Sequence, residues 1–302
     1  MKGMRVAAAA ATAIVVALFG AGTVKAGTLT TVNDTSATDL ANELTSGGAG
    51  GITITNQTLS TNTQGSAASS GIFSTSGTNN YGLTGSGIVI SSGNAAQDGT
   101  SGPVISGVST TFGVPATASQ TSLLSQVTSA PNGFFDVTEL TITFTAGPTT
   151  SQVFFNTVFG SAEFPEFVGS FIDGFGLFLN GTNIAFAGGD PVNIDSPLMV
   201  DTTAGGSQFQ TTPLQGLLVE NGSSVVTYSG AVTPGSTGNT LTFIIADAND
   251  DQLDTTAFIQ GLGNAPPTPG VPELSTWVMM LLGFAGLGYA GSRKARIVRF
   301  AA

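Results

Sequence analysis

The chain has 302 residues, 41% of them hydrophobic and only 8% charged, with a formal net charge of −11. All seven Lys and Arg lie at the ends, so the span from Gly27 to Ser292 carries the 18 carboxylates and no positive side chain. With no His or Cys either, this body lacks a triad base, a thiol, a Cys or His zinc site and the cations that nucleic acid or phosphate requires.

In chain order, the first element is an address. MKGMR gives a short positive start, VAAAAATAIVVALFGAG an apolar stretch, and Val24 and Ala26 the small residues of a cleavage site. Residues 1–26 therefore read as a secretory signal peptide, cut between Ala26 and Gly27, with an N-terminal membrane helix as the alternative. Export through the secretion machinery follows from that reading.

Ser36-Ala-Thr-Asp39 is a capping-box-like start for a helix. Leu40 and Leu44 share its face, and Gly47-Gly48 end it. Leu123–Val127 is a second short helical stretch. The remaining elements are strands, expected over Ile52–Leu59, Gly87–Ser91, Val137–Phe144, Gln152–Phe159, Phe175–Asn180, Asn183–Ala187, Val225–Ser229, Thr240–Ala246 and Thr256–Ile259. Leu140, Ile142 and Phe144 alternate with Thr141, Thr143 and Thr145, the period of a half-buried strand. Gly, Asn, Asp and Ser fill the breaks. Many short strands with regular breaks predict a mainly β chain folded as an antiparallel β-sandwich. Ser60–Asn80 and Ala204–Pro213 are Gly-, Ser- and Thr-rich and read as long surface loops.

Two acidic clusters carry what chemistry is available. One is Glu163, Glu166 and Asp173; the other is Asp247-Ala-Asn249-Asp250-Asp251-Gln252-Leu253-Asp254. Asp247, Asn249 and Asp251 alternate as in a calcium loop, but Gln252 and Phe258 stand where an EF-hand has its Gly and Glu. Bunched carboxylates without cations repel one another, and a hard divalent cation would relieve them. Calcium held by Asp247, Asn249, Asp251, Asp254, Glu163, Glu166 and Asp173 is one reading. Solvated turn residues that keep an exported protein soluble are the other.

Residues 264–272 form a Pro-rich spacer, stiff and extended. Residues 273–302 make the tail. Its apolar run, Thr276 to Gly291, is about 16 residues, a little short of the roughly 20 that cross a bilayer. Trp277 and Tyr289 sit at its borders, and Arg293, Lys294, Arg296 and Arg299 follow, as on a cytoplasmic flank. A membrane helix leaves the body outside; a buried core helix is the alternative.

Val271-Pro272-Glu273, Ser275-Thr276-Trp277, the Gly-rich apolar run and the basic end resemble a PEP-CTERM sorting signal, with Leu274 where that family has its second Pro. The resemblance implies processing by an exosortase, a membrane protease of bacteria that make exopolysaccharide. The body has its own resemblance. Gly51–Asn56, Gly87–Ala95, Val158–Val168 and Phe171–Gly181 are similar to the choice-of-anchor L domain, whose members read FGSEEYPEF and FNDxF where this chain has Ala162, Phe164 and Ile172. That implies an extracellular bacterial β-domain over residues 27–263. It supplies no catalytic residues.

These features point to an exported, envelope-anchored or released surface or matrix protein associated with exopolysaccharide or biofilm, and not an enzyme. A calcium-dependent carbohydrate-binding module is the second reading, although Trp277 is the chain's single Trp. A glycoside hydrolase using Glu163 and Glu166 is the third, and would need those carboxylates to flank one bond.

Overall fold

A computed structural model of the chain describes residues 27–266, except 78, 80, 100–107 and 205–213. The signal peptide (with Ala26), the end of the Pro-rich spacer and the whole sorting tail, including Val271, Pro272, Glu273, Trp277, Arg293, Lys294 and Arg296, lie outside the described residues. Among the described residues no helix is long and apolar enough to cross a membrane.

The first elements are β1 (Leu29–Asn33), α1 (Ala37–Ser46), β2 (Ile52–Ser60), β3 (Thr63–Gln64), β4 (Ala67–Ala68), β5 (Ser70–Thr75) and β6 (Ser86–Ser91). A one-turn 3-10 helix at Ala95–Gln97 and α2 (Ala118–Leu124) precede β7 (Phe134–Ala146), β8 (Gln152–Ser161) and β9 (Gly174–Leu179). Short strands follow: β10 (Thr182–Asn183), β11 (Phe186–Ala187), β12 (Asp190–Pro191), β13 (Met199–Asp201) and β14 (Gly216–Leu218). The chain closes with β15 (Val226–Ala231), β16 (Asn239–Ala248) and β17 (Thr255–Gly263).

The larger sheet runs β1-β5-β6-β17-β8-β14-β13, with β15 also paired to β8. The smaller runs β10-β9-β16-β7-β2. All the pairings are antiparallel, as the sandwich reading expected. The inner faces meet in one core. Leu140, Ile142, Phe144, Leu177, Phe243 and Ile245 come from the smaller sheet, and Ile88, Ile90, Phe155, Phe159 and Ile259 from the larger. Each large side chain fully buried there contributes about 1.5–3 kcal/mol of transfer free energy.

Both outer faces are also covered in part. Val89, Val158 and Phe258 of the larger sheet pack with Tyr81, Leu83 and Leu214. Phe178, Ile244 and Ala246 of the smaller sheet pack under Leu124 and Val127 beside α2. This explains the unbroken apolar stretches Phe243–Ala246 in β16 and Ala257–Ile259 in β17: strands covered on two sides lose their alternation.

Helix α1 begins where expected. Ser36 Oγ accepts the Asp39 amide at 3.2 Å, and Leu40, Ala41 and Leu44 enter the main core. The second helix lies earlier than Leu123–Val127. It starts at Ala118 because Thr117 and Gln120 complete a capping box, the Thr117 side chain taking the Gln120 amide and the Gln120 side chain the Thr117 amide.

The stretch Ser60–Asn80 is not a surface loop. It holds the β3–β4 hairpin and β5, where Phe73 is fully buried. Its small residues let β1 approach closely: a side chain at Gly71 would fall 2.4 Å from the Val32 carbonyl oxygen. The expected strand Asn183–Ala187 is broken into β10 and β11, because the Asn183 carboxamide turns back to accept the amides of Leu177 and Ala185.

Candidate acidic site at one end of the sandwich

The two acidic clusters of the sequence meet where the ends of β8 and β16 and the starts of β9 and β17 come together. Strand register brings them there. Thr255 pairs with Ser161 across β17 and β8, and Ala246 pairs with Gly174 across β16 and β9. Glu163, Asp173, Asp247 and Asp254, each flanking one of these pairs, are all buried at 1% exposure or less.

Asp173 is the most fully bonded of the four. Its Oδ1 accepts the Ala248 amide at 2.8 Å and its Oδ2 the Thr255 hydroxyl at 2.6 Å. Asp247 interacts with Asp173 and Ser92, yet its Oδ1 has no hydrogen-bond partner. Glu163 Oε2 is likewise unpartnered, as are Asp254 Oδ2 and Asp98 Oδ1. Asp254 Oδ1 takes the Thr110 amide at 2.7 Å.

Burial dominates the electrostatics. It pushes the Glu163 carboxyl up to about 9, with the charges of Asp173 and Asp250 adding to it. Asp173 and Asp247 are both held well above the ordinary carboxylate range, again by burial first, and the charge of Asp173 raises Asp247 further. Asp254 rises to about 6, burial outweighing its amide bonds. Buried charges in proteins are ordinarily paired, and no Lys or Arg lies between Gly27 and Ser292 to pair these. At neutral pH the site holds protons or needs another cation.

The expected ligand set is divided by the structure. Asp247 turns inward, whereas Asn249 is a staple: its Oδ1 accepts the Asn132 amide and its Nδ2 donates to the Ser170 carbonyl. Asp251 is half-buried, and its carbonyl accepts the Thr111 hydroxyl. Glu166 is exposed while Glu163 is buried, so this pair does not line a common cleft. Among the described residues no three acidic side chains are already gathered in one metal-sized cluster.

Two carboxylates, Asp98 and Asp136, escaped the sequence reading, and a third, Asp250, is named in its cluster but not in the ligand set. Asp250 is half-buried at the rim, and its charge reaches Glu163 and Asp173. Asp98 is fully buried; its Oδ2 accepts the Thr256 hydroxyl at 2.8 Å. Asp136 is an anchor, accepting the amides of Phe112, Gly113 and Val114 at 2.7–3.2 Å. An acid inside the apolar strand Phe134–Val137 was the available signal for Asp136. Asp98 lies in a loop, and only long-range pairing buries it.

A separate groove of about 330 Å³ lies at the other end of β17. It is lined by the side chains of Ser46, Thr84, Ser86 and Gln260 and by glycine backbone, with no ionisable group.

The fold and site thus define a cation-free antiparallel β-sandwich with an acid-filled end. The chain belongs to the Choice-of-anchor L domain family, whose model matches residues 28–263. No curated protein matches the chain. Among solved structures, a chain described as "Structure of infectious bursal disease virus Gx strain" aligns over 85% of this chain and 70% of its own, at 14% identity. Its TM-score of 0.10 carries no argument.

Proposed function

We propose that the protein is an exported, non-catalytic module of the bacterial surface or extracellular matrix, associated with exopolysaccharide. Membership of a choice-of-anchor family points to surface association. The observation that carries the rest is one of boundaries. The family match occupies residues 28–263, directly between the signal-like segment ending at Ala26 and the Pro-rich spacer that leads to the sorting tail. The body is therefore one passenger between two addresses: an amino-terminal signal for the secretion machinery and a PEP-CTERM-like tail for an exosortase-type protease and the membrane.

The reading without catalysis is supported by the placement of the acids. Glu163 and Glu166 do not share a cleft, and the other carboxylates near Glu163 are buried. A carbohydrate-binding role has one favourable observation, the hydroxyl- and amide-lined groove beside Gln260. That groove and the acidic site lie at opposite ends of β17, which favours a neutral glycan contact without a bridging calcium.

The test is to fractionate cells and sequence both termini of the mature protein. An amino terminus at Gly27, with the chain in the envelope or medium, is the expected result. The intact 302-residue chain dissolved in the cytoplasm would end the proposal.

A further inference from the structure

Three tight segments build the groove at the far end of β17: the end of α1 at Ser46-Gly47, the turn Thr84-Gly85-Ser86 leading into β6, and Gln260-Gly261 of β17 itself. The turn is held by the Thr75 amide, which donates to the Gly85 carbonyl at 2.8 Å. In β17 the pairing with β8 slips between Gln260 and Gly263, and Gly261 takes φ +75°, a bulge conformation that glycine adopts without strain. Gly87 makes room beside it: a Cβ there would fall 2.8 Å from Gln260 Cβ.

Gln260 is 9% exposed, and its Oε1 has no hydrogen-bond partner. Other buried oxygens share that state, but Gln260 alone of them also lines the groove. Its Oε1 can only accept. Ser46 Oγ already donates to the Glu43 carbonyl at 2.8 Å, so it too meets the groove as an acceptor. An occupant must therefore bring donors. Sulfate and carboxylate groups offer acceptors alone, and nothing between Gly27 and Ser292 carries the positive charge they need. An ammonium would be buried with no carboxylate among the lining residues to pair it. No apolar or aromatic side chain lines the groove to receive a lipid or a flat ring. The uncharged hydroxyls of a neutral sugar meet all of these conditions.

Resting on the exopolysaccharide association above, we propose that this groove binds uncharged polysaccharide, with Gln260 Oε1 accepting one sugar hydroxyl and Ser46, Thr84 and Ser86 bonding its neighbours. Its volume of about 330 Å³ lies at the low end of the roughly 300–1,000 Å³ of small-molecule sites, so it holds about one or two sugar units. With no ring to stack on, one unit binds weakly, and a polymer gains by offering many units to many anchored copies. Calcium has no part in this contact, since no carboxylate lines the groove.

The test is affinity electrophoresis of the purified full chain through gels containing dextran, amylopectin, arabinogalactan or, as the anionic arm, polygalacturonate. At least one neutral polymer should retard the chain, with or without chelator, and the free disaccharide of that polymer should reverse it. Gln260→Leu removes the acceptor and should raise Kd about tenfold, the loss of one buried hydrogen bond. Thr84→Trp fills the mouth from an exposed position and should abolish retardation; it decides the matter if Gln260→Leu fails to fold. Glu166→Gln, at the opposite end, should change nothing. The proposal is overturned if no neutral gel retards the chain, if polygalacturonate retards it equally, if chelator abolishes the effect, or if Thr84→Trp leaves it intact. Retardation of a chain that proves cytoplasmic would sink the export reading and leave the groove; an exported chain that no neutral gel retards does the reverse.

Discussion

Thr255 donates its hydroxyl to Asp173 Oδ2 at 2.6 Å, and the Ser161 hydroxyl lies 2.8 Å from Thr255 Oγ1. This contact joins the start of β17 to the start of β9, across the two sheets. Asp173 is fully buried, so removing its donor leaves an acceptor stranded. Thr255→Val keeps the shape and deletes the bond. It should cost about 1–3 kcal/mol, read as a lower urea midpoint with an unchanged m-value. An unaltered midpoint would show that the contact contributes nothing.

Metal-free stability should fall as pH rises. Asp254 moves from an ordinary value of 3.8 to about 6 in the folded protein. Over that window the unfolded chain releases its proton first, so the folded state binds more protons and stability declines with pH. Asp98 is raised as well, by burial and then by the charge of Asp254, which extends the decline upward. Melting in chelator should give a higher Tm near pH 4 than near pH 7, and Asp98→Asn should reduce the difference. A Tm that climbs across this range contradicts the assignment.

Asp136→Ala should be among the costly substitutions. Three amides, those of Phe112, Gly113 and Val114, lose their acceptor together. Hydrogen bonds to charged groups are worth about 1.5–3 kcal/mol each, and water can reach part of the freed segment, so a loss of roughly 3 kcal/mol is expected. Hydrogen exchange at these three amides should accelerate more than exchange in the distant β15. Equal exchange before and after substitution would refute the anchoring role.

Gly93 leaves room for Asp254. A Cβ at Gly93 would fall 1.9 Å from Asp254 Cγ, closer than any real contact. Gly93→Ala should therefore lower Tm sharply, and much less so when Asp254→Ser is already present. Such coupling between touching residues is typically 0.5–3 kcal/mol. Simple additivity in the double-mutant cycle would mean that the clash is relieved elsewhere.

Much of this architecture was legible in the residues. Ser36 capped the helix it was expected to cap, and the Leu140-Ile142-Phe144 alternation marked the strand that faces the core, because both signals depend on spacing within one segment. Phe73 and its strand were hidden for the opposite reason. Ser70–Thr75 sets only Ile72 and Phe73 among Ser, Gly and Thr, and it lies in the sheet between β1 and β6. The same division runs through the site. Glu163, Asp173, Asp247 and Asp254 stood out as acids in a chain body without cations, but Glu166 and Asn249 stood beside them with equal claim.

The order of residues thus fixed the charge problem: every carboxylate belongs to a segment with no basic side chain to meet it. Tertiary structure decided which carboxylates bear that problem. Pairing of β8 with β17 and of β9 with β16 buries some and leaves Glu166 in water, since depth below the surface, set by contacts distant in sequence, determines the free energy of a charge.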